Sequence, residues 1–594
     1  MLPSVIGTSL TRFVSGTADV DFVDKVAKAI PTAWQKDSDD MALVDSITLL
    51  YERRLHASKM LGPGAELVAA PWKLWAVLER AAVIEPALFH VMLLHYTLAV
   101  APIARFCDPK HVKHLLLHLD TTHGCPMIVE SGRSNSHQNT RTTATYDALS
   151  GGFLLHTPEH DAMKSPTIAG SPHVGKVALV LAELITAEER RGVFFFVVPI
   201  RDATGALLPG VQTTPATSTS ALRVDYAAVS FNKVNVPLEM WMNDGAQILP
   251  HNGFHDHSGI SGRSARTHSI GLLVWQSIIS MAAAVSRAAS SIAMEYSANH
   301  FSAKPAVCER PILEQRNQCD AIFGAYATAF AVTALANHAK CQRVEGDVGE
   351  ASTSHFGAWV SVNEEMALLK ASATDLARQV IARCRQHCGS NGAVGTTGRV
   401  FGAYQGIVDT YTTAGGDNEL TMLDAGSRMA HAPKRSLPSV ALNSCPTTLR
   451  ACCELAEHAE AKLHNRLVRI ISEAKALGKE PSTALDNHLP LVIDAGTAKA
   501  DLIMLSVVEK EIAREVNSTA RQIFEKLAAI FALVWVERRA GILFDLELLK
   551  GGSIESIRKN RAELCDNLLG HTVELIEGFS PPMEFLFRFP SMNT

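Results

Sequence analysis

The stretch Ala414-Gly-Gly-Asp-Asn-Glu419 sets two carboxylates directly after a pair of glycines. A carboxylate there can act as a general base, or it can serve as a helix-start group favoured by capping and the helix dipole. Asp417 suits a turn or N-cap. Glu419 lies four positions after Gly415, where the chain enters a helical pattern, so the two share a face one turn apart. His255 and His257, with His251 and Asp256, could bind a metal, yet their spacing matches no common site, and a solvated linker is the plainer reading. Cys384 and Cys388 sit four apart on an expected helix without a second pair nearby, so no metal is expected. Cys452-Cys453 cannot serve one ion, since adjacent helical side chains diverge. No Gly-x-Ser-x-Gly elbow or Walker loop is present, and Gly389-Ser-Asn-Gly392 is too short to diagnose a nucleotide loop.

The elements that must position these groups change character along the chain. Residues 1–124 carry apolar positions at helical spacing, as in Trp72-Lys-Leu-Trp75-Ala-Val-Leu78 and the run from Pro86 to Val100. Residues 125–250 hold short β-rich runs, Thr142–Tyr146, Phe153–His156, Val177–Ala182 and Phe194–Pro199, separated by Gly, Pro and Ser. An antiparallel β domain is the expectation. A Gly/Ser/His-rich linker then spans His251 to Arg266. Long helical patterns follow at 269–296, 311–339, 360–388, 447–477, 501–539 and 553–577, read as two C-terminal helical regions, 251–435 and 436–594. The fold class is multidomain α+β.

Bulk properties narrow the partners. Fifty-five Lys and Arg against sixty Asp and Glu leave a net charge of −5, with no long run of one sign, which argues against nucleic acid or an anionic membrane surface. The longest apolar stretches, such as Leu527–Val536, read as too short to span a bilayer. Eleven scattered cysteines read as reduced thiols. The start lacks the pattern of a secretory signal and the end lacks Ser-Lys-Leu, so a cytoplasmic location is expected.

Four stretches carry a resemblance to acyl-CoA oxidases of the acyl-CoA dehydrogenase superfamily. Cys125-Pro-Met-Ile-Val-Glu-Ser-Gly132, running on to Thr142-Thr-Ala-Thr-Tyr-Asp147, is similar to the family's G-C-x-x-T-E-L-G-H-G-S-N through E-T-T-A-T-Y-D. Phe194–Asp202 with Leu208-Pro-Gly-Val211 resembles F-x-V-P-I-R-D and L-P-G-V. Val224-Asp225 through Phe231–Pro237 is similar to the strand pair closing the family's β domain. Cys388–Gly392 with Asp409–Asn418 resembles C-G-G-x-G and D-x-x-T-T-x-E-G-D-N. The resemblance implies an N-terminal helical domain, a β domain and C-terminal helices, with FAD held between the β and helical domains of a homodimer. It also implies oxidation of an acyl thioester: a glutamate takes the α-proton, the β-carbon yields a hydride, and oxygen becomes hydrogen peroxide.

Glu130, Gly132, Gly170, Gly389 and Gly392 match the cofactor pattern, as does Phe301 of the Arg-x-Phe element. Three positions depart from it. The family's glutamate falls on Gly415, which has no proton acceptor, and such help is worth ~10²–10⁴-fold in rate. The flavin-contacting threonine falls on Val129, losing a hydroxyl worth ~0.5–1.5 kcal/mol. The arginine of Arg-x-Phe is Asn299, which removes a fixed charge from the expected pyrophosphate contact. Three readings stay open: an FAD-dependent oxidase of an acyl-CoA or carrier-bound acyl group with an altered or absent base, Glu419 being one replacement; a flavin-free descendant used for binding, as a partner subunit or in non-redox chemistry; or a flavoenzyme acting on a non-thioester substrate.

Overall fold

The computed structural model describes residues 4–16, 19–37, 43–132, 137, 139–216, 222–250, 253–301, 310–342, 363–438 and 445–579. Arg133 to Asn135 of the first motif and His251 lie outside the described residues. The described residues form two compact units, one within 18–277, the other within 1–17, 278–343 and 363–594.

The first unit begins with helices whose starts are written in the sequence. Pro71–Ile84, Pro86–His95 and Pro109–Thr121 each open on proline, and Asp108 caps the last by accepting from the Lys110 N–H at 2.9 Å. The strands that follow are β1 (His123–Met127), β2 (Thr143–Asp147), β3 (Gly152–His156), β4 (Lys164–Ile168), β5 (Lys176–Thr186), β6 (Glu189–Arg201), β7 (Val211–Pro215), β8 (Tyr226–Phe231), β9 (Val234–Val236) and β10 (Trp241–Met242). A tight hairpin joins β5 to β6, with Ala187 and Glu188 both at positive φ, the twist such two-residue turns require. The main sheet runs β10-β6-β5-β2-β3-β9, with β1 also on β5.

This is the expected β domain, but its sheet is mixed. β1 and β2 lie parallel to successive halves of β5, which at eleven residues and almost entirely buried is long enough to pair both along one edge. Phe153, Phe194, Phe196 and Trp241 meet edge to face over the sheet at centroid distances of 5.2–5.6 Å.

The expected linker 251–266 is also structured among its described residues. Strand Gly253–His255 pairs with Gln247–Leu249, and a helix covers Gly259–His268. Arg263 makes the difference: buried, it bonds Asp244 and Asp256 at 2.7 Å each. Asp256 is thereby taken by an ion pair rather than left for a metal. His255 and His257 face each other at 3.3 Å. Among the described residues no group of three His, Cys, Asp or Glu could hold a metal ion.

The second unit is helical, built on the end of Gly271–Asn299, Arg316–Cys341, Glu364–His387, Gly395–Thr413, Asn418–His431, Leu449–Ala476, Leu489–Ala513 and Ser518–Arg538. The pattern read as continuous over 501–539 is two helices, broken where Asn517 caps the second. Among the described residues three helical stretches, Pro86–Phe106, Gly262–Asn299 and Arg316–Cys341, are long and apolar enough to cross a membrane, which corrects the shorter estimate. Their apolar windows are 72, 100 and 94 % buried within the fold, so packing accounts for their composition.

Candidate functional site

In the first unit, the segment after β1 is shaped by Glu130. Its carboxylate accepts from Lys164 Nζ at 3.2 Å, from the Thr142 N–H and hydroxyl at 2.9 and 2.8 Å, and from the Arg141 N–H at 3.1 Å. Burial raises its proton affinity, but Lys164 and these hydrogen bonds outweigh it and hold the acid below its ordinary value. Burial brings Lys164 down to about 8. Glu130 therefore ties together the β1 exit, the start of β2 and β4.

Gly132 donates to the Asp161 carbonyl at 3.0 Å, and a Cβ there would lie 2.4 Å from the Asp161 Cβ. Gly170 donates to the Asp225 carbonyl at 2.8 Å, and a Cβ would meet that oxygen at 2.9 Å. Both glycines answer to close backbone packing. Asp225 is itself fixed, accepting from Tyr51 at 2.5 Å, Lys176 at 2.7 Å and the Ser171 N–H at 2.6 Å. On this braced frame Val129 stands exposed at 38 %, while its carbonyl accepts from the Ser165 N–H.

In the second unit the structure brings together the end of Gly271–Asn299 and the Cys388–Gly392 turn. Gln318 bridges them, donating to Ser297 Oγ and to the His387 carbonyl at 2.8 Å each. Gly389 has φ +56, and its Cβ position faces the Tyr296 hydroxyl at 3.5 Å. Gly392 lies so close to Arg385 that a Cβ would fall 2.0 Å from that residue's carbonyl oxygen. Asn299 is exposed and its amide turns back onto Glu295 at 3.0 Å, so it offers no fixed charge. Phe301, 58 % exposed, pairs its backbone with Pro311. Cys384 and Cys388 are buried, and burial raises both thiols, Cys388 to about 12, as in a protein core.

The Gly415 turn lies in the same unit. Gly415 and Gly416 have φ of +72 and +95, both in the region that disfavours side chains. Asp417 is the N-cap of Asn418–His431, accepting from the N–H groups of Glu419 and Leu420 at 3.0 and 3.1 Å. Lys370, which sequence reasoning missed, anchors the turn by donating to the Gly416 carbonyl at 2.6 Å and Asn418 Oδ1 at 3.1 Å. Burial lowers its amine to about 7, against the pull of Asp417. Its only sequence signal is a lysine inside an otherwise apolar helical pattern. Glu419 is exposed and lines a cavity of about 370 Å³ with Asp375, Asn418, Met422, Thr497 and Arg538.

These elements define a helix–β–helix fold with a Gly-Gly-Asp-Asn turn where the motif places its base. Among solved structures, acyl-CoA oxidase 1 from Yarrowia lipolytica matches with a TM-score of 0.83 at 20% identity, covering 98% of this chain and 90% of that one. An acyl-CoA oxidase-2 from Caenorhabditis elegans, bound with FAD, ascaroside-CoA and ATP, matches at 0.78 and 16%, covering 98% and 89%. At such identities the likeness is one of fold. Family models described as the acyl-CoA oxidase C-alpha1 domain and as acyl-CoA oxidase match residues 272–429 and 448–587. The chain belongs to the acyl-CoA oxidase family.

The acyl-coenzyme A oxidase-like protein of Mus musculus is 28% identical over 335 residues, 55% of this chain and about half, 51%, of that protein's length. The peroxisomal acyl-coenzyme A oxidase 3 of Arabidopsis thaliana is 22% identical over 554 residues, 88% of this chain and 79% of that protein. Peroxisomal relatives of this kind overturn the cytoplasmic expectation. An address read by a receptor is a short signal separate from the fold, so the lack of one tripeptide does not decide the compartment.

Proposed function

We propose that the chain is an FAD-dependent oxidase of an acyl thioester, working as a homodimer with an altered base. The observation that carries this reading is the turn at 415–419. It keeps its frame, with Asp417 capping and Lys370 anchoring, while a left-handed glycine stands where the motif has glutamate.

The residues present suit FAD in part. Val129 and Phe301 are exposed apolar groups on backbones fixed by internal bonds, the kind of surface a flat ring system covers. By resemblance, Val129 and the Gly170 segment of the first unit match positions that contact the flavin ring, and, taken by itself, the second unit carries Asn299, Phe301 and the Gly389–Gly392 turn at positions that match adenosine and pyrophosphate contacts. Asn299 contributes hydrogen bonding without charge. Bound FAD would supply the two-electron acceptor, with oxygen as its reoxidant and hydrogen peroxide as product.

Three side-chain roles follow on the protein's part. Glu130 holds the β1 exit in place, Lys370 holds the turn, and Glu419 is the carboxylate offered for the α-proton. Asp417 is committed to the helix start. Glu419 is exposed, and no hydrogen-bond partner for its carboxylate stands among the described residues. A peroxide assay across acyl-CoAs, run on wild type and on Glu419→Gln, tests the assignment. A fall in turnover of about 10²–10⁴-fold, with FAD content and KM retained, is expected for a lost base. Unchanged turnover in Glu419→Gln removes Glu419 from the chemistry.

A further inference from the structure

In the second unit, helix Arg316–Cys341 packs on helix Ser553–Asp566. Two ion pairs fix how they meet. Arg316 holds both carboxylate oxygens of Asp566 at 2.7 Å, and Arg561 reaches Asp320 at 3.9 Å. Arg316 also donates to the Ala562 carbonyl at 3.2 Å. The start of one helix thus faces the end of the other, and the helices run antiparallel.

Cys319 follows Arg316 by three residues and Cys565 follows Arg561 by four, so each cysteine shares a helix face with an arginine of the bracket. Both are buried, at 1 and 0 % exposure, inside the interface the ion pairs enclose. Their thiols act on each other. Cys565, through a hydrogen bond, is the first cause holding Cys319 below the usual thiol range, and Cys319 is the first cause pushing Cys565 above it. The two buried thiols are thus each other's hydrogen-bond partner across the interface, which puts either sulfur in reach of the other.

We propose that Cys319 and Cys565 form a reversible disulfide that clasps these two helices, with a peroxide as the two-electron oxidant. The Cys319 thiolate attacks one peroxide oxygen. The O–O bond breaks, and the leaving hydroxide takes a proton to become water, leaving a sulfenic acid. The Cys565 sulfur, giving up its proton, then attacks the Cys319 sulfur. The S–O bond breaks, a second water leaves, and the S–S bond forms. Two thiols lose two hydrogens and one hydrogen peroxide becomes two waters.

The Arg316–Asp566 pair lies at the solvent side of this interface, its side chains 50 and 49 % exposed, and is the proposed point of entry for the oxidant. Such a surface pair adds little to stability and weakens in salt, so it opens readily. The inference is independent of the enzyme reading, because the peroxide is added from outside.

The test treats the full chain with hydrogen peroxide, blocks free thiols under denaturing conditions, and maps the digest by mass spectrometry without reductant. The expected product is a peptide cross-linked through Cys319 and Cys565, released by dithiothreitol and formed faster at high salt. In Cys565→Ser the Cys319 sulfenic acid is expected instead, trapped by dimedone, and Cys319→Ser serves if that variant does not fold. Exposed Cys341 is the internal reference. Oxidation of Cys341 with Cys319 and Cys565 both left as thiols overturns the proposal, as does Cys319 pairing with any other cysteine in the native protein.

Discussion

Alanine at Gly415 is the most revealing single change, because its sign tells whether the turn's backbone is committed to glycine. At an ordinary backbone position Gly→Ala stabilises a protein by ~0.4–1 kcal/mol, since the unfolded chain loses freedom. Gly415 sits at φ +72, where a Cβ crowds the following carbonyl at a cost of ~1–2 kcal/mol. Subtracting the gain from the cost leaves a net loss of roughly 0–1.6 kcal/mol. Gly416→Ala is the matched control. It sits at φ +95, and its nearest neighbour, Thr421 Oγ1, is 3.8 Å from the built Cβ, so strain acts there without a clash. Exposed Thr413→Ala, outside the turn, is expected within about 0.5 kcal/mol of wild type. Urea unfolding followed by helical circular dichroism reads all three, compared at unchanged slope. A stabilising Gly415→Ala would refute the argument. It would mean that the turn relaxes freely, and that its backbone is not committed to glycine.

Glu130→Gln leaves Lys164 buried opposite a neutral amide, and unfolding should show a loss of ~3–5 kcal/mol, the usual result of breaking a buried pair. Lys370 binds a proton less readily folded, at about 7, than its ordinary 10.5, so burial of its charge costs stability in full below pH 7. As pH rises from about 7 towards 10.5, wild type should gain stability relative to Lys370→Met; a pH-independent difference would show that Lys370 does not titrate there. Gly392→Ala places a Cβ against the Arg385 carbonyl, and melting should show a clear loss of stability at the Cys388 turn.

Much of this architecture was legible because local patterns agreed with the final packing. Pro71, Pro86, Pro109 and Asp108 announce their helices, and the runs that became β5 and β6 are short continuous stretches rich in Val, Leu and Phe, as buried strands are. Residues 251–266 misled because Gly, Ser and His read locally as linker, whereas Arg263 earns its helix through Asp244 and Asp256, partners that spacing cannot reveal. The antiparallel expectation holds for most strand pairs and misses β1 and β2 on β5 for a related reason: which edge of β5 receives them is decided by long-range pairing. For the candidate site, motif order pointed to Gly415 and the Gly389–Gly392 turn, which the structure shows as turns with glycines at positive φ. It could not show that Glu130 is consumed by Lys164 and Thr142, or that Asn299 folds back onto Glu295. Lys370 went unnoticed because its partner is a backbone carbonyl forty-six residues away.

The central claim, flavin-dependent oxidation without the motif's glutamate, is tested most directly by the visible spectrum of the purified protein. It would be recorded before and after incubation with FAD and gel filtration, then during anaerobic mixing with an acyl-CoA. The account predicts about one FAD retained per chain, bleached by the thioester and restored, with peroxide, when oxygen is admitted. A colourless protein that holds no added FAD would contradict it, and would mark the chain as an oxidase fold put to another use.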